Sequence, residues 1–450
     1  MARRHRHSVI LALAAALALG GAACTRNDSG AAHNAILISI DTLRADRLGL
    51  YGCERPTSPH LDAFAARGAV FDRVVAEAPW TLPSHVTMLS GLYPATHGVD
   101  QPSLRVGADV ALLAEILHRD GFSTVGITDG GYVGAMFGLN RGFEVWKDTP
   151  RPFRSAVALA EHLIREQGER RWFLFLHTYQ VHCPYTAPPS YGALFASPGA
   201  ASFDAGEPCG AAEYARRALT PGNVQYLRDQ YDAGIRQTDD ELGAFLAALE
   251  SRGDLADTVV VVTSDHGEEL SEHGLIGHEL SLHREVLMIP LIVVGPGVRT
   301  GRIAWPAGLV DVSPTLLGLL GEPVPRAMQG RDLAPLLRGE NTPPWAAGEA
   351  PARISELQRD RALSSVVSGD HHLIIDRKTD RAELYDLRVD AAEHHDLAAE
   401  NATTVAELRR ALAAHVTEAP RQPERVGAVG PEVERRLRAL GYVPPSDPGK

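Results

Sequence analysis

Two short apolar runs decide most of what this chain can fold into. Residues 35–40 (AILISI) and 258–263 (TVVVVT) show no regular polar/apolar alternation. Strands of that kind are buried on both faces, the habit of parallel sheets covered by helices above and below. Each run leads directly into an acidic residue, Asp41 after the first and Asp265 shortly after the second.

The patterning between and beyond them agrees. Residues 60–67 and 86–89 read as short helices, and 110–119 (VALLAEILHR) as a helix followed by Gly121. Residues 124–128 read as a strand, 156–165 as a helix, and 172–176 (WFLFL) as a strand ending at His177. Residues 223–249 form a long amphipathic pattern stopped by Gly253, and 287–294 read as a further strand. Strand and helix patterns alternate over about the first three hundred residues, which predicts an α/β fold around a mostly parallel sheet. Residues 313–320 add a helix, and the Pro/Ala-rich stretch 341–351 (NTPPWAAGEAP) marks a boundary. HHLIID and AELYDL then predict an antiparallel hairpin with a charged, solvated tip at 377–381, and 432–440 a basic amphipathic helix before Gly441.

Open α/β sheets take their ligands beyond the C-terminal ends of the strands. Asp41 and the pair Asp265-His266 fall there. A third segment, 79–98 (PWTLPSHVTMLSGLYPATHG), sets the Thr81 hydroxyl at a helix start, with Pro83 in the first turn. Carboxylates and an imidazole can hold a divalent cation. A hydroxyl beside that cation and near a helix N-terminus can be kept as an alkoxide. Metal, nucleophile and imidazoles together are what hydrolysis of a sulfate or phosphate ester requires. Each piece alone has a plainer reading: Asp41 as a turn aspartate, Thr81 as a helix cap, and the Asp265 segment as a surface turn. Further imidazoles stand at His182 and His278, with His85 and His177 as weaker candidates. His273 and His283 flank His278 and could contribute to a second metal.

Bulk properties narrow the class. The net charge of −12 argues against a nucleic-acid partner, because phosphate backbones call for a basic face. The N-terminus is basic (ARRHRH), then apolar over 9–19, then small (GGAAC), which reads as a signal peptide over 1–24. Cys24 looks like the lipid-modified cysteine of a bacterial lipoprotein, although Gly21 stands where that pattern usually has Leu. Cleavage after Ala-x-Ala is the alternative. Both predict an exported bacterial protein, periplasmic or held at the cell envelope through lipid on Cys24, with 25–34 as tether. Of the four cysteines, Cys183 with Cys209 is the most plausible disulfide in an oxidising compartment, and the absence of a CxxC pair argues against a thiolate zinc site.

Taken together, the segments resemble the sulfatase family of the alkaline phosphatase superfamily. SPHLDAFAARGAVF, FLFLHTYQVHCPY, VDVSPTLLGLLG and ELYDL with the following HHDLA are similar to further signatures of that family, so the resemblance covers residues 35–443. It implies a sulfatase fold: a large, mostly parallel sheet flanked by helices over 35–345, and a small antiparallel C-terminal subdomain over 352–443. It also implies one divalent metal held by Asp41, Thr81, Asp265 and His266, with zinc or manganese favoured over calcium. Thr81 would be the nucleophile, and His182 and His278 would serve the leaving group.

Three departures bear on the substrate. The family motif Cys or Ser, x, Pro, x, Arg reads Thr81-Leu82-Pro83-Ser84-His85 here. The threonine β-carbon already bears a methyl group, so no formylglycine aldehyde can form. His85 replaces the arginine. Asp41-Thr42 replaces two consecutive aspartates, and the expected lysine–histidine pair falls near Asp129 and Gly131. The resemblance therefore implies a metal-dependent hydrolase acting on a small-molecule or glycan ester of sulfuric, phosphoric or phosphonic acid. The rival readings are a phosphoethanolamine-type transferase and a degenerate binder of sulfated or phosphorylated glycans.

Overall fold

In the computed structural model the strand Asn34–Ile40 is central, and it is buried along its whole length. The structure describes residues 31–149, 152–202, 214, 217, 219–340, 351–415, 421–427 and 429–442. The signal peptide, Cys24, Cys209, Val443 and most of the 341–351 boundary lie outside them. Asn34–Ile40 pairs in parallel with Trp172–Thr178 on one side and Thr258–Thr263 on the other. The eight-stranded sheet runs Gly301–Ile303, Ala69–Phe71, Leu291–Val294, Thr258–Thr263, Asn34–Ile40, Trp172–Thr178, Ser123–Thr128, Val145–Asp148. Leu291–Val294 is antiparallel to both of its neighbours, while the other pairs are parallel.

The central strand serves two cores. Ala35 and Leu37 point into one, together with Leu82, Val86 and Leu89 of the helix Thr81–Ser90. Ile36, Ile38 and Ile40 point into the other, against Leu227, Tyr231, Ile235 and Leu242 of the long helix Pro221–Arg252. Full burial of such a side chain contributes about 1.5–3 kcal/mol relative to exposure, so neither face of this strand could turn to water.

Several boundaries differ from the sequence reading: the 86–89 helix begins at Thr81 and the 156–165 helix at Phe153, and two others have a plain cause. Residues 287–290 do not join the strand expected over 287–294. Arg284–Leu287 makes a short helix and the strand begins only at Leu291, because Pro290 has no N–H to give a ladder. The 110–119 pattern starts its helix at Leu113, where Glu115 accepts the Leu112 N–H. Cys183 is disulfide-bonded and Cys53 is free. Among the described residues no helix is long and apolar enough to cross a membrane.

The predicted hairpin is half of a four-stranded antiparallel sheet, Arg353–Gln358, Ala362–Ser368, His371–Asp376 and Ala382–Asp386. One face joins the main core through Leu357, Leu363, Val367 and Ile374. The other face closes over the helix Ala402–His415 through Val366, Leu373, Leu384 and Leu408. Docking runs through buried polar groups: the Glu356 N–H donates to the Glu77 carbonyl, and Arg353 meets Asp311 at 2.7 Å. The Glu77 side chain is enclosed here and accepts the Leu309 N–H at 3.0 Å.

Burial, reinforced by the Asp311 charge, pushes the Glu77 carboxyl up from 4.5 to about 8, with Arg353 opposing. The folded chain thus keeps a proton that the unfolded chain loses near the ordinary value. Stability must therefore fall as pH rises across that interval. Glu77→Gln is expected to flatten this slope and to stabilise the protein at its alkaline end. Urea denaturation of both proteins across the interval measures it, and parallel pH profiles would remove Glu77 from the account.

Candidate active site

The C-terminal ends of three neighbouring strands converge where the Thr81 helix begins. Ser39 of the central strand lies level with His177 on one side and Thr263 on the other. The residues that follow, Asp41 and Asp265-His266, therefore emerge side by side. Asp41, Thr81, Asp265 and His266 are all fully buried.

The turn after Asp41 is strained. Thr42 has φ 57°, a left-handed conformation costly for a β-branched residue. The strain is held by its surroundings. The Thr42 N–H donates to Asp265 Oδ1 at 3.2 Å and its hydroxyl to the Asp41 carbonyl at 2.7 Å. Tyr231 from the long helix donates its hydroxyl to the Thr42 carbonyl at 2.6 Å and accepts the Arg44 N–H at 3.0 Å. Thr42 thus fills the second aspartate position with a backbone bond that aligns Asp265. On the opposite turn Ser264 donates to the His266 carbonyl and accepts the Leu43 N–H. Gly267 follows because a β-carbon there would lie 2.0 Å from the Glu285 carbonyl oxygen.

Asp41, Asp265 and His266 each offer a ligand atom, all within 4.8 Å of one another. Asp41 Oδ1 and Asp265 Oδ2 are buried without a hydrogen-bond partner. His266 Nδ1 lies 2.9 Å from the Gly267 carbonyl, which fixes its proton there and leaves Nε2 as a lone pair. Nε2 stands 3.3 Å from Asp265 Oδ2 and 3.4 Å from Thr81 Oγ1. Burial, and then the neighbouring Asp265 charge, raise the Asp41 carboxyl well above its ordinary range. Two enclosed carboxylates with bare oxygens facing an imidazole lone pair fit a divalent cation, which supplies the missing positive charge.

Thr81 is the first residue of its helix, after an extended Trp80 at the cap position. Its hydroxyl does not cap the helix. It lies 2.8 Å from the Tyr442 hydroxyl. His85, one turn on, has both ring nitrogens engaged, Nδ1 with the Thr81 carbonyl at 2.9 Å and Nε2 with Ser39 Oγ at 3.0 Å. Burial lowers its pKa and keeps it neutral. His177 Nε2 reaches Asp41 Oδ2 at 3.5 Å.

His182 and His278 face the same space. His182 Nδ1 is 2.7 Å from the Cys183 carbonyl, and His278 Nδ1 is 2.9 Å from Glu268 Oε1. Their Nε2 atoms lie 3.0 and 3.5 Å from the Tyr442 hydroxyl. Sequence reasoning missed Tyr442. The helix Pro431–Ala439 docks through Leu437, and Leu440 packs just beyond it. The chain then turns at Gly441, with φ 79°, and aims the ring inward against Tyr132. The available signal was an aromatic residue immediately after a helix-stopping glycine. Asp129, at the expected clamp position, is occupied otherwise: its Oδ2 accepts the Tyr179 N–H at 2.7 Å and the Thr178 hydroxyl at 3.1 Å.

Tyr231→Phe would strand the buried Arg44 N–H and Thr42 carbonyl, and is expected to cost about 1–3 kcal/mol of stability. Urea denaturation checks this. No change would show that the Thr42 turn holds itself.

The sulfatase family model matches residues 33–322. A multifunctional alkaline phosphatase superfamily protein of Trinickia caryophylli, PehA, is 25% identical, with 82% of this chain and 92% of the relative covered. Human arylsulfatase K is 24% identical, with 76% of this chain and 75% of the relative covered. Among solved structures, a phosphonate monoester hydrolase of Silicibacter pomeroyi superposes with a TM-score of 0.71 at 21% identity, over 85% of this chain and 94% of its own. A structure in complex with its substrate D-glucosamine-2-N,6-O-disulfate gives 0.72 at 20% identity, over 85% and 97%.

Proposed function

Because this chain belongs to the sulfatase family of the alkaline phosphatase superfamily, and is with that family a sulfuric or phosphoric ester hydrolase, we propose that it works through Thr81 as a plain alcohol nucleophile on a phosphoric or phosphonic ester. The observation that carries this reading is the convergence of Asp41, Asp265 and His266, with bare oxygens, beside the Thr81 hydroxyl. A divalent cation held there, zinc or manganese rather than calcium given the mixed N/O donors, would favour the alkoxide and offset charge on the ester oxygens.

The chain's own groups account for the rest. Thr81 Oγ forms a bond to the central atom of the ester as the bond to the departing alcohol oxygen breaks opposite to it. The helix N-terminus behind Thr81 favours the anion. His85 holds the first helical turn to Ser39 and so fixes where the nucleophile stands. The Tyr442 hydroxyl marks the position of a substrate oxygen, among Thr81, His182 and His278. His182 or His278 faces the departing alkoxide. Burial, and then the neighbouring His266, hold His278 well below the ordinary imidazole range, so the proton comes from His182, protonated at Nε2, while Glu268 orients the His278 ring through Nδ1. The neutral imidazole then takes a proton from the water that attacks the central atom and releases Thr81.

The preference for phosphorus over sulfur rests on what the site lacks. A hydrated aldehyde expels sulfate with its second hydroxyl, and threonine has none. Asp129 and Gly131 supply no cationic clamp. Water can attack a phosphothreonyl intermediate directly at phosphorus. The small-molecule or glycan leaving group is carried over from relatives, one of which holds a sulfated glucosamine.

Thr81→Ala is expected to lower turnover by about three orders of magnitude or more, on whichever of aryl sulfate, phosphate monoester, phosphate diester and phosphonate monoester the wild type cleaves best. Equal rates would exclude Thr81, and dominant aryl sulfate turnover would reverse the preference for phosphorus. We also assign the chain to the bacterial cell envelope through lipid on Cys24, on the pattern of residues 1–24. Labelled fatty acid should enter the wild type and not Cys24→Ala. Absence of label from both would leave ordinary signal cleavage as the route.

A further inference from the structure

A second cluster of imidazoles and carboxylates lies outside the catalytic space, at the seam with the C-terminal subdomain. His273 and His283 come from the segment that carries His278. Their rings stack with centroids 3.8 Å apart and planes 9° from parallel. Glu393 comes from the stretch after Ala382–Asp386, in a left-handed conformation with φ 56°. It is buried, and its Oε2 accepts the Arg284 N–H at 3.0 Å and lies 3.2 Å from His283 Nδ1. Ligand atoms of His273, His283 and Glu393 all fall within 4.8 Å of one another.

Further carboxylates face the same pair of imidazoles. Glu285, 4% exposed, brings Oε2 to 3.3 Å from His273 Nε2. Glu269, 1% exposed, uses Oε1 to accept the Ser281 hydroxyl at 2.7 Å, and its Oε2 has no hydrogen-bond partner. Glu393 is also met by His372, but Glu269 Oε2 and Glu285 Oε2 are buried without a hydrogen-bond partner, and each buried charge is costly unless paired. The second ring of partners is also present. His372 Nδ1 lies 2.7 Å from Glu393 Oε1, the kind of contact that orients a ligating carboxylate.

We propose that His273, His283 and Glu393, with Glu285 as the fourth donor, form a second divalent-metal site that joins the C-terminal subdomain to the catalytic half. Two imidazoles and two carboxylates suit zinc, whose bonds of about 2.0–2.1 Å place tetrahedral ligands roughly 3.4 Å apart. Ligation requires the two rings to swing out of their parallel stack so that a nitrogen of each faces the ion. The role is structural. His273 and His283 bracket the strand that presents His278, and Glu393 follows the subdomain's last strand. One ion therefore fixes the subdomain against the segment bearing a catalytic imidazole.

The test separates this ion from the catalytic one. Chelator-stripped Asp265→Asn protein, with Asp41→Asn as an independent background, is titrated with zinc chloride and its metal content is measured after desalting. One equivalent per chain is expected, together with a rise in melting temperature on zinc addition. His283→Gln and Glu393→Gln, added separately to either background, should each abolish the retained zinc and the thermal shift. Circular dichroism establishes that the stripped variants are folded, and His273→Gln replaces any that is not. Failure of both backgrounds to retain zinc would overturn the proposal, as would a full equivalent surviving all of the substitutions. Loss of the Thr81-dependent activity in the backgrounds bears only on the catalytic site.

Discussion

Two carboxylates forced together in the dark of the fold are the constraint on which the active centre depends. Asp41 and Asp265 would repel each other if both were charged, and burial makes each charge dearer still. Nothing in their own chemistry keeps them there. The backbone does so: the Thr42 N–H grips Asp265, Tyr231 grips Thr42, and Arg44 completes the circuit through the same hydroxyl. The strained Thr42 conformation persists because three elements over-determine it. Scaffold stability is thus traded for two bare carboxylate oxygens held beside an imidazole.

The parallel sheet makes that arrangement cheap to specify. Adjacent strands in register deliver their C-terminal residues to one line, so Asp41 and Asp265 meet because Ser39 pairs with Thr263. The Thr81 helix packs on one face of the same strand, through Leu82 and Val86, and its first turn comes to the same end. Four side chains spread over more than two hundred residues therefore need only two strands and a helix to find one another.

This explains which parts were legible in the sequence. Runs such as TVVVVT can be buried on both faces and little else, so the central strands and the acidic residues after them could be read directly. Direction was less legible. Leu291–Val294 is as apolar as its neighbours, yet it runs the other way, because residues 264–290 are spent on the site turn, the short pair Glu269–Leu270 and Ile276–Gly277, and the Arg284–Leu287 helix rather than on a crossover helix. His85 was visible as an imidazole one turn from Thr81, but only the Ser39 contact reveals an internal strut. Tyr442 left only a faint signal, an aromatic residue after a helix-stopping glycine, which does not say where the ring will land. The His273 and His283 pair was noticed in the sequence, while Glu393, 110 positions further on, was not connected to it.

The partner nearest the Thr81 hydroxyl on its open side lies 361 positions downstream. The main sheet and the carboxylate pair are built entirely from residues upstream of it, while the main core still takes Leu437 and Leu440 from the same C-terminal helix and turn. Loosening of the helix Pro431–Ala439 would therefore uncover Thr81 and thin the main core in one movement.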